Sequence, residues 1–595
     1  MPGETVCFAL TMHGLTRRWR WRRPVEQDAQ GPIPLFDRLL RARGLDDEAA
    51  RRFCAPKLTD LHDPKLLPNI EAAVERLARA VRGGESIVIY GDYDVDGIAA
   101  GAILFHVIKA VAPDAAVRIY IPHRLEEGYG LNTEALLRLR SEGADLVISV
   151  DCGATAHGPA HAAREAGLDL IITDHHNVPD ADEGLPEAIA VVHPRLPGSA
   201  YPFGDLCGAG VAFKLAWAFA VHWCGSRRVG KRVQQVLLDM LPLAALATIA
   251  DVVPLVGENR TIVTWGLRTI RETPIAGLRA LIEAANLMDA DIDTHKVGFV
   301  LGPRLNACGR MGHADEAVRL LTDASGQEAR RIAESLTRLN RERQQTERRI
   351  TEQAARMAED TGMTTDDCRV IVLADDSWHA GVVGIACSRL VDRFSRPVVL
   401  LHRQGDVCKG SARSIEGYSI HEGLVAASDH LTSFGGHDAA AGLVLPSDRL
   451  DRFAAALTEH ANAHIDVEQL TPGIWIDCDA AIDELEVEVV SRIDTLRPFG
   501  RGNPRPAVCI RGATLTEPPR QIGANGNHLS LSVRADGNRG RRWLRLVWFG
   551  AGSLAADLSA GMAIDAVIEP KINTWQGRTS VEGIVSDVRV VGAKE

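Results

Sequence analysis

The sequence lacks the features that mark secreted, membrane-spanning and nucleic-acid-coating proteins. Aromatic residues make up only 5% of its 595 residues, and its eleven cysteines are scattered, with no CxxC pair. No run approaches the roughly 18 consecutive apolar residues of a membrane span. Acidic residues outnumber basic ones, 78 to 67, which argues against a surface that is basic throughout but allows a local basic groove. We therefore expect a reduced, cytoplasmic protein of about four domains.

The alternation of short apolar runs with helical stretches predicts a parallel α/β sheet in the first half of the chain. The expected strands are Ile87–Tyr90, Val117–Ile121, Leu146–Val150, Leu170–Thr173 and Ala188–Val192. Glycine and proline are almost absent from 326–360, which predicts one long connecting helix. A second, smaller α/β unit follows it. From about Thr471, short alternating strands separated by Gly and Asn predict a β-barrel or sandwich.

Acidic and imidazole residues follow directly after several apolar elements. They are Asp92, Asp94, Asp96, Asp151, Asp174, His175, His176 and Asp251. Ligand sites of open parallel sheets lie outside the carboxyl ends of the strands, so we expect the residues that follow strands to converge on one crevice. Any single Asp here could equally cap a helix. The DxDxD run, the isolated strand-end Asp and the Asp-His-His triplet together are much harder to explain as caps.

The residue types in this crevice indicate metal-dependent chemistry on a phosphate. Several carboxylates in one pocket repel each other strongly without cations. Carboxylate oxygens with one or two imidazoles favour Mn²⁺ or Mg²⁺. Two such ions about 4 Å apart can activate water and stabilise an in-line phosphoryl displacement.

The motif series resembles that of the DHH phosphoesterase superfamily, and within it the bacterial single-strand-specific exonucleases. The shared motifs are GDYDVDG (91–97), VDCG (150–153), TDHH (173–176), ADVVPL (250–255), GPRLNACGRMG (302–312), GSARS (410–414) and FGGH (434–437). The resemblance implies an α/β fold in which a parallel-sheet DHH domain is joined by the long helix to a smaller α/β DHHA1 domain and then to an OB-fold. The helical spacing of apolar residues at Leu35–Leu40, Ala49–Phe53 and Ala72–Val81 predicts a helical segment at 1–80. The remaining boundaries are DHH at 81–325, the connecting helix at 326–360, DHHA1 at 361–470 and the OB-fold at 471–595.

The resemblance also implies roles for the clustered residues. It assigns two divalent cations, Mn²⁺ or Mg²⁺, to five ligands: Asp94, Asp96, Asp151, His175 and Asp251. Asp151 matches the bridging position, and His176 matches a histidine that contacts the scissile phosphate. Tyr90 stands where some members have a metal-binding histidine, so we expect water or Asp92 to take its place at the catalytic centre.

A second set of residues suits the phosphate groups of a strand. Ser411 and Arg413 are two apart, so on a strand they face the same side, and both suit phosphate oxygens. Flexible amides and an imidazole in FGGH do the same, although a tight turn explains the glycines as well. The resemblance implies that Ser411, Arg413 and an arginine of a loop at 302–312 bind a terminal 5′ phosphate. The candidate substrate-binding residues are therefore Arg304, Arg310, Ser411, Arg413, Gly435, Gly436 and His437.

The C-terminal domain carries a basic segment of its own. Residues 494–550 hold ten Arg and no Lys, opposed by three acidic residues, with Phe499, Trp543, Trp548 and Phe549 interleaved. Basic side chains and stacking aromatics are what single-strand binding needs. Trp548 lies in an alternating run, so we expect it in the core of the barrel. Every proposed metal ligand precedes residue 252, which predicts that deletion of 471–595 would spare the chemistry on short oligonucleotides.

These features predict a metal-dependent 5′-to-3′ exonuclease that converts single-stranded DNA to mononucleotides in DNA repair and recombination. A DHH-type phosphodiesterase acting on short oligonucleotides and a non-catalytic nucleic-acid-binding scaffold are the alternatives. The basic β-domain favours a nucleic-acid substrate longer than that of a short-oligonucleotide phosphodiesterase. The filled Asp and His positions argue against a non-catalytic scaffold. Beyond single-stranded DNA, a single-strand-binding protein and a RecQ-type helicase are the candidate partners.

Overall fold

The computed structural model of the protein describes residues 12–22, 33–124, 127–179, 183–226, 229–535 and 543–592. The chain divides into two compact units. The first unit contains residues 56–348 and 498–504, and the second contains the described residues of 1–55, 349–497 and 505–595. Four charged residues of the predicted basic segment lie outside the described residues: Asp536, Arg539, Arg541 and Arg542.

The prediction of a wholly helical N-terminal segment is wrong at residues 12–21. Two strands, β1 (Met12–His13) and β2 (Arg18–Trp21), precede the expected helices α1 (Leu35–Ala42) and α2 (Asp47–Cys54). Strand β2 pairs in parallel with residues 473–476, and the Trp19 side chain between its arginines is completely buried. Because the partner strand lies more than 450 residues away, local helical spacing could not reveal it.

The first unit is built on a five-stranded parallel sheet in the order β4-β3-β5-β6-β7. The strands are β3 (Ile87–Gly91), β4 (Val117–Tyr120), β5 (Leu146–Val150), β6 (Asp169–Thr173) and β7 (Ala190–Val192). The five predicted strands are thus confirmed, with ends shifted by two residues at most. The helices of the unit are α3 (Ile70–Gly83), α4 (Val95–Val111), α5 (Thr133–Ser141), α6 (His157–Glu165), α7 (Gly208–Trp223), α8 (Lys231–Asp239), α9 (Leu241–Ala250), α10 (Gly257–Thr269), α11 (Ala276–Ala284), α12 (Thr294–Lys296), α13 (Gly302–Met311) and α14 (Asp315–Leu321).

Helices α4, α7 and α9 form the core against this sheet, since nearly all their side chains are buried. Among the described residues, one helical stretch, 231–250, is long and apolar enough to cross a membrane. Its apolar window is 61% buried inside the fold, as expected for a core helix of a soluble protein. Helix α15 (Gly326–Asp360) then continues without interruption for 35 residues, which confirms the predicted connecting helix.

Besides the three-stranded sheet of β1, β2 and residues 473–476, the second unit contains two larger sheets. One has the order β11-β12-β10-β9-β8 and packs with α16 (Ala380–Phe394), α17 (Ile420–Ala426) and α18 (Leu450–His464). Its strands are β8 (Ile371–Asp375), β9 (Val398–Gln404), β10 (Val407–Arg413), β11 (Ser433–His437) and β12 (Ala440–Pro446). The other sheet holds seven strands. An additional pairing between the strands Val508–Leu515 and His528–Arg534 closes this sheet on itself, which confirms the predicted barrel. The remaining elements are β13 (Gly473–Ile476), β14 (Cys478–Asp479), α19 (Val487–Ile493), β15 (Val508–Leu515), β16 (Arg520–Ile522), β17 (His528–Arg534), β18 (Trp543–Trp548), β19 (Ala563–Trp575) and β20 (Arg578–Val590).

The buried carboxylate of Asp587 fastens the N-terminal strands to the barrel. It accepts hydrogen bonds from the Thr16 amide and hydroxyl (3.0 and 2.8 Å), from the Arg17 amide (3.0 Å) and from Trp19 Nε1 (2.7 Å). Replacing Asp587 with Ala leaves these donors without their acceptor. We expect a loss of at least about 2 kcal/mol in the stability of the second unit, measured as an earlier thermal transition and faster proteolysis before residue 22. The exposed Glu517→Ala control should change neither measurement, and an unaltered transition in Asp587→Ala would show that this docking is unimportant.

Candidate active site

The acidic and imidazole residues of the first unit lie together at the carboxyl ends of three adjacent strands. Asp92 and Asp94 follow β3, Asp151 follows β5, and the Asp-His-His triplet follows β6. Asp251 comes from the end of α9. Within the first unit the chain therefore brings the expected residues into one crevice.

Two elements of local structure position the carboxylates of the DxDxD run. Asp94 caps α4, because its Oδ1 accepts from the amides of Asp96 and Gly97 at 2.9 and 3.2 Å. Asp96 is buried and accepts from the amides of Gly208 and Ala209, at 2.7 Å each. These amides begin α7, whose N-terminal partial positive charge favours a carboxylate.

Asp151 reaches the same crevice through an unusual backbone conformation. Its φ is +65°, in the left-handed region, where aspartate and asparagine are better tolerated than most residues. Glycine is required opposite it, because a Cβ on Gly208 would lie 2.4 Å from Asp151 Oδ1. The side chain can therefore approach the backbone that also binds Asp96.

The crevice holds buried polar atoms that the protein itself does not satisfy. His175 Nε2 lies 3.1 Å from Asp151 Oδ1, 3.7 Å from Asp96 Oδ2 and 3.7 Å from Asp251 Oδ2. His175 Nε2, Asp151 Oδ1 and Asp92 Oδ1 make no hydrogen bond. Donor atoms lie within 4.8 Å of one another in three groups: Asp151 with His175 and His176, Asp96 with His175 and Asp251, and Asp92 with Asp94 and Asp151. Such atoms fit divalent cations, which take oxygen and imidazole ligands.

Electrostatics in the crevice favour a bound cation. Burial, and then repulsion from the neighbouring carboxylates, raises the pKa of Asp151 and of Asp92 well above the usual range, and burial also raises that of Asp96. Burial with the charges of Asp96 and Asp94 raises the pKa of Asp251 to about 8. Burial lowers the pKa of His175 to about 4, which leaves the neutral imidazole that a metal requires.

His176 differs from its neighbour because it has a carboxylate partner. Its Nδ1 donates to Asp174 Oδ1 at 2.8 Å, and the Tyr129 hydroxyl lies 3.0 Å from the same nitrogen. Burial opposes the imidazolium, but the hydrogen bond and charge of Asp174 outweigh it and raise the pKa of His176 to about 9. Asp174 is held in turn by the amides of Ala154, His175 and His176. His176 thus offers a fixed positive charge at the rim of the crevice.

Tyr90 does not take the place of a metal ligand. It is fully buried in β3, and its hydroxyl donates to the Gly130 carbonyl at 3.1 Å. Asp92 is available instead, because its donor atom lies within 4.8 Å of those of Asp94 and Asp151.

The arginines expected in a loop at 302–312 lie in helix α13 instead, because the motif follows a π-turn (Val297–Leu301) that continues directly into it. Arg304 donates to the Val300 carbonyl at 2.6 Å and to Thr337 at 3.2 Å, so its guanidinium is held by the protein. Arg310 acts on the ionisation of Tyr93 beside Asp92. Helix α13 also contacts the DxDxD loop through Asn306, which accepts from the Val95 amide at 3.0 Å.

The remaining phosphate-binding candidates share one sheet of the second unit. Ser411 and Arg413 lie on β10, and Gly435 with His437 lie on β11, with β12 between these strands. Ser411 and Gly435 both pair with Gly442, and Arg413 and His437 both pair with Ala440. Gly435 and Gly436 therefore belong to an exposed edge strand and not to a tight turn. A Cβ on Gly384 of α16 would lie 3.0 Å from Ser411 Oγ and 3.5 Å from Arg413 Nη2, so this glycine lets the helix pack closely beside both side chains.

The basic segment is less positive than its composition suggests. Arg497 and Arg505 pair with Asp494, Arg511 pairs with Asp479, and Arg545 pairs with Glu582. The last two acidic partners lie outside residues 494–550, so a count within that segment could not include them. Trp548 is buried as expected, whereas Trp543 and Trp575 are 65% and 72% exposed. Both line a cleft of about 1060 Å³ with Arg545 and Arg578.

Two side chains of the crevice were not predicted: Tyr129 and Arg124. Asp174 was expected in the crevice as part of the Asp-His-His triplet, but no role was assigned to it. The guanidinium of Arg124 lies 4.6 Å from the ring centre of Tyr93, and its charge acts on Asp92. Tyr129 and Arg124 stand in the connection after β4, where no periodic pattern singles them out.

Comparison with known proteins agrees with this arrangement. Family models match at residues 86–248 (DHH family, N-terminal domain), 367–463 (DHHA1 domain) and 476–587 (RecJ OB domain). The single-stranded-DNA-specific exonuclease RecJ of Bacillus subtilis is 38% identical over 583 residues, which cover 96% of this chain and 71% of that protein. The chain belongs to the RecJ family. The RecJ of Dickeya dadantii is 33% identical, over 95% of this chain and 98% of that protein.

A solved structure of the RecJ family supports the fold and the metal site together. The crystal structure of RecJ in complex with Mn²⁺ from Thermus thermophilus superposes with a TM-score of 0.78 at 31% identity, covering 94% of this chain and 76% of that one. A Mg²⁺ complex from the same organism gives a TM-score of 0.72 at 30% identity, covering 94% and 75%. In this chain, three groups of carboxylate and imidazole side chains in the crevice could hold such cations.

Replacing Asp151 with Asn tests whether cations hold the crevice together. Asn accepts a positive φ, so the backbone is not strained, but one buried charge is lost. We expect hydrolysis below a tenth of wild type in saturating Mn²⁺. We also expect a higher thermal midpoint than wild type in chelator, because carboxylate repulsion is relieved, and little further stabilisation by Mn²⁺.

The exposed Asp114→Asn variant is the matched control and should behave as wild type. Full activity in Asp151→Asn, or equal stabilisation of both variants by Mn²⁺, would contradict the assignment.

Proposed function

We propose that this chain is an exonuclease that degrades single-stranded DNA from its 5′ end and releases 5′-mononucleotides. The proposal rests on the crevice of unsatisfied carboxylate and imidazole atoms, found in a chain of which 95% or more aligns with RecJ exonucleases. Roles in DNA repair and recombination follow from membership of that family.

The metal ligands we propose are Asp94, Asp96, Asp151, His175 and Asp251, with Asp151 shared between two cations. Asp92 would add a further ligand beside Asp94 and Asp151, since its Oδ1 makes no hydrogen bond and its donor atom lies within 4.8 Å of theirs. When bound, two divalent cations neutralise the carboxylates, polarise an attacking water and stabilise charge on the phosphate. The protein contributes ligands fixed by the amides of α7 and a neutral His175.

His176 is proposed to bind the scissile phosphate. Its hydrogen bond to Asp174 fixes the ring and favours the imidazolium, so Nε2 can donate to a phosphate oxygen at neutral pH. Arg124 and Arg310, whose charges act on Asp92 and Tyr93, add positive charge at the same rim. Charge-assisted hydrogen bonds of this kind are stronger than neutral ones.

The 5′-terminal phosphate is proposed to bind the β10–β11 surface of the second unit. Ser411 and Arg413 present a hydroxyl and a guanidinium on the same side of β10, and the exposed residues Gly435 and Gly436 lie two strands away on the edge strand. His437 adds an imidazole next to Arg413 across Ala440. Arg304 is a weaker candidate than Arg310 because its guanidinium is held by Val300 and Thr337.

The rest of the strand is proposed to bind the barrel. Trp543 and Trp575 present broad, exposed rings in one cleft with Arg545 and Arg578, a combination that stacks bases and accompanies a phosphate backbone. A cytoplasmic location is supported by the free cysteines, which number ten in the described part of the chain. Family membership alone supports a single-strand-binding protein and a RecQ-type helicase as partners.

Replacing Arg413 with Ala tests the recognition of the 5′ end. On strands labelled at either end, wild type with Mn²⁺ should release the 5′ label first, as a mononucleotide. The variant should lose about 10- to 150-fold in kcat/KM on 5′-phosphorylated strands, because one charge-assisted hydrogen bond contributes about 1.5–3 kcal/mol. Strands with a 5′ hydroxyl should be affected less.

Equal losses on both kinds of end would show that Arg413 does not read the terminal phosphate. Early release of the 3′ label by wild type would contradict the proposed polarity itself. The exposed Arg452→Ala variant of α18 is the matched control.

Replacing Trp543 or Trp575 with Ala tests the barrel cleft. Each stacked base contributes about 1–3 kcal/mol, so affinity for a long strand should fall about 5- to 150-fold, while turnover of very short oligonucleotides stays near wild type. Binding measured by fluorescence anisotropy checks this. Trp475→Ala, a half-exposed tryptophan outside the cleft, should leave affinity unchanged, and unaltered affinity in both cleft variants would remove the cleft from the strand path.

A further inference from the structure

Seven residues of the C-terminal half belong to the first unit, although the chain on both sides of them belongs to the second. This loop, 498–504 (PFGRGNP), has a defined internal structure. Gly500 and Asn503 exchange two backbone hydrogen bonds of 2.9 and 3.0 Å. The buried Asn503 side chain donates to the Pro498 carbonyl at 2.8 Å. Internal hydrogen bonds therefore define the conformation of this loop within the first unit.

The loop is fixed to the segment that follows Asp251. The Leu255 amide donates to the Arg501 carbonyl at 2.7 Å, and Arg501 Nη1 donates to the Val252 carbonyl at 3.3 Å. Gly502 has a φ of +73°, and a Cβ there would lie 3.0 Å from Pro254 Cβ. On its other side, the Phe499 carbonyl accepts from Thr294 Oγ1 at 2.7 Å. Loop and segment thus contact each other through one backbone hydrogen bond, one hydrogen bond from the Arg501 side chain and the close approach at Gly502.

The segment after Asp251 needs such a restraint. Val252 has a φ of +58°, a strained conformation for a β-branched residue, which persists only where the surroundings impose it. The Val252 side chain is 57% exposed, so side-chain packing does not impose it. The contacts with Arg501 and Gly502 lie on its carbonyl, on Pro254 and on the amide of Leu255.

We propose that loop 498–504 is a positioning element of the metal centre. It holds the turn that follows α9 in its strained form and thereby sets the Asp251 carboxylate beside Asp96 and His175. The proposal rests on the proposed role of Asp251 as a metal ligand. It also revises the expectation that deletion of 471–595 spares the chemistry, because that deletion would remove a part of the catalytic unit.

Charge-neutral variants give the cleanest test. Arg501→Ala has opposing effects on cation binding, since it removes both a restraint and a nearby positive charge. Asn503→Ala and Gly502→Ala disturb the loop and its contact with the segment without changing any charge. We expect their affinity for Mn²⁺, measured without DNA by the electron paramagnetic resonance signal of free Mn²⁺, to fall about 10- to 100-fold, as when other supports of metal ligands are removed. In activity assays, kcat should recover as Mn²⁺ is raised, and KM for DNA should change less than twofold.

The controls separate failure of this proposal from failure of the proposed function. Arg271→Ala, an exposed change elsewhere in the first unit, should leave Mn²⁺ affinity as in wild type. Asp251→Asn should lose Mn²⁺ affinity at least as strongly as the loop variants. If Asp251→Asn binds Mn²⁺ normally, the assigned metal ligand is wrong, and the loop proposal falls with it.

If Asp251→Asn loses affinity but both loop variants keep it, only the positioning role is overturned. A higher KM for DNA with unchanged Mn²⁺ affinity would likewise overturn it, because the loop would then contact the strand. Should Gly502→Ala or Asn503→Ala fail to fold by circular dichroism, Arg501→Lys, which keeps the charge and shortens the donor, must show the same loss in smaller measure.

Discussion

Mutual repulsion among buried carboxylates is the constraint on which the rest of the first unit depends. Three parallel strands end side by side, and each places at least one acidic residue at the same edge. The protein partly offsets the repulsion with the amides that begin α7 and with a glycine that gives Asp151 room. It leaves buried oxygens and one imidazole nitrogen unsatisfied, and a divalent cation is the partner that these atoms fit.

The two histidines of the triplet show how position separates chemically identical groups. His175 is buried among carboxylates without a hydrogen bond to its Nε2, so it stays neutral and can bind a metal. His176, one residue further, is paired with Asp174 and carries a positive charge at neutral pH. One short motif therefore supplies a ligand and a cationic group, as the proposed cleavage of a phosphodiester requires.

The sequence was most informative where the determining interactions are local. Strand ends at Tyr90, Val150 and Thr173 could be predicted because apolar runs stop where acidic residues begin, and parallel topology then brings those ends together. Features that depend on distant partners could not be predicted. Trp19 lies in a strand because this strand pairs with Gly473–Ile476 and its indole donates to Asp587. The loop 498–504 belongs to the first unit because it contacts Leu255 and Val252. Similarly, the arginines of the basic segment are partly neutralised by Asp479 and Glu582, which a window of sequence does not contain.

The central claim is that the crevice is a site for divalent cations, and calorimetric titration of Mn²⁺ into metal-free protein tests it most directly. Because burial raises the pKa values of Asp92, Asp151 and Asp251, cation binding should release protons. We expect two Mn²⁺ ions per chain, with a binding heat that depends on the ionisation enthalpy of the buffer. Absence of saturable binding, or binding without proton release at neutral pH, would contradict it.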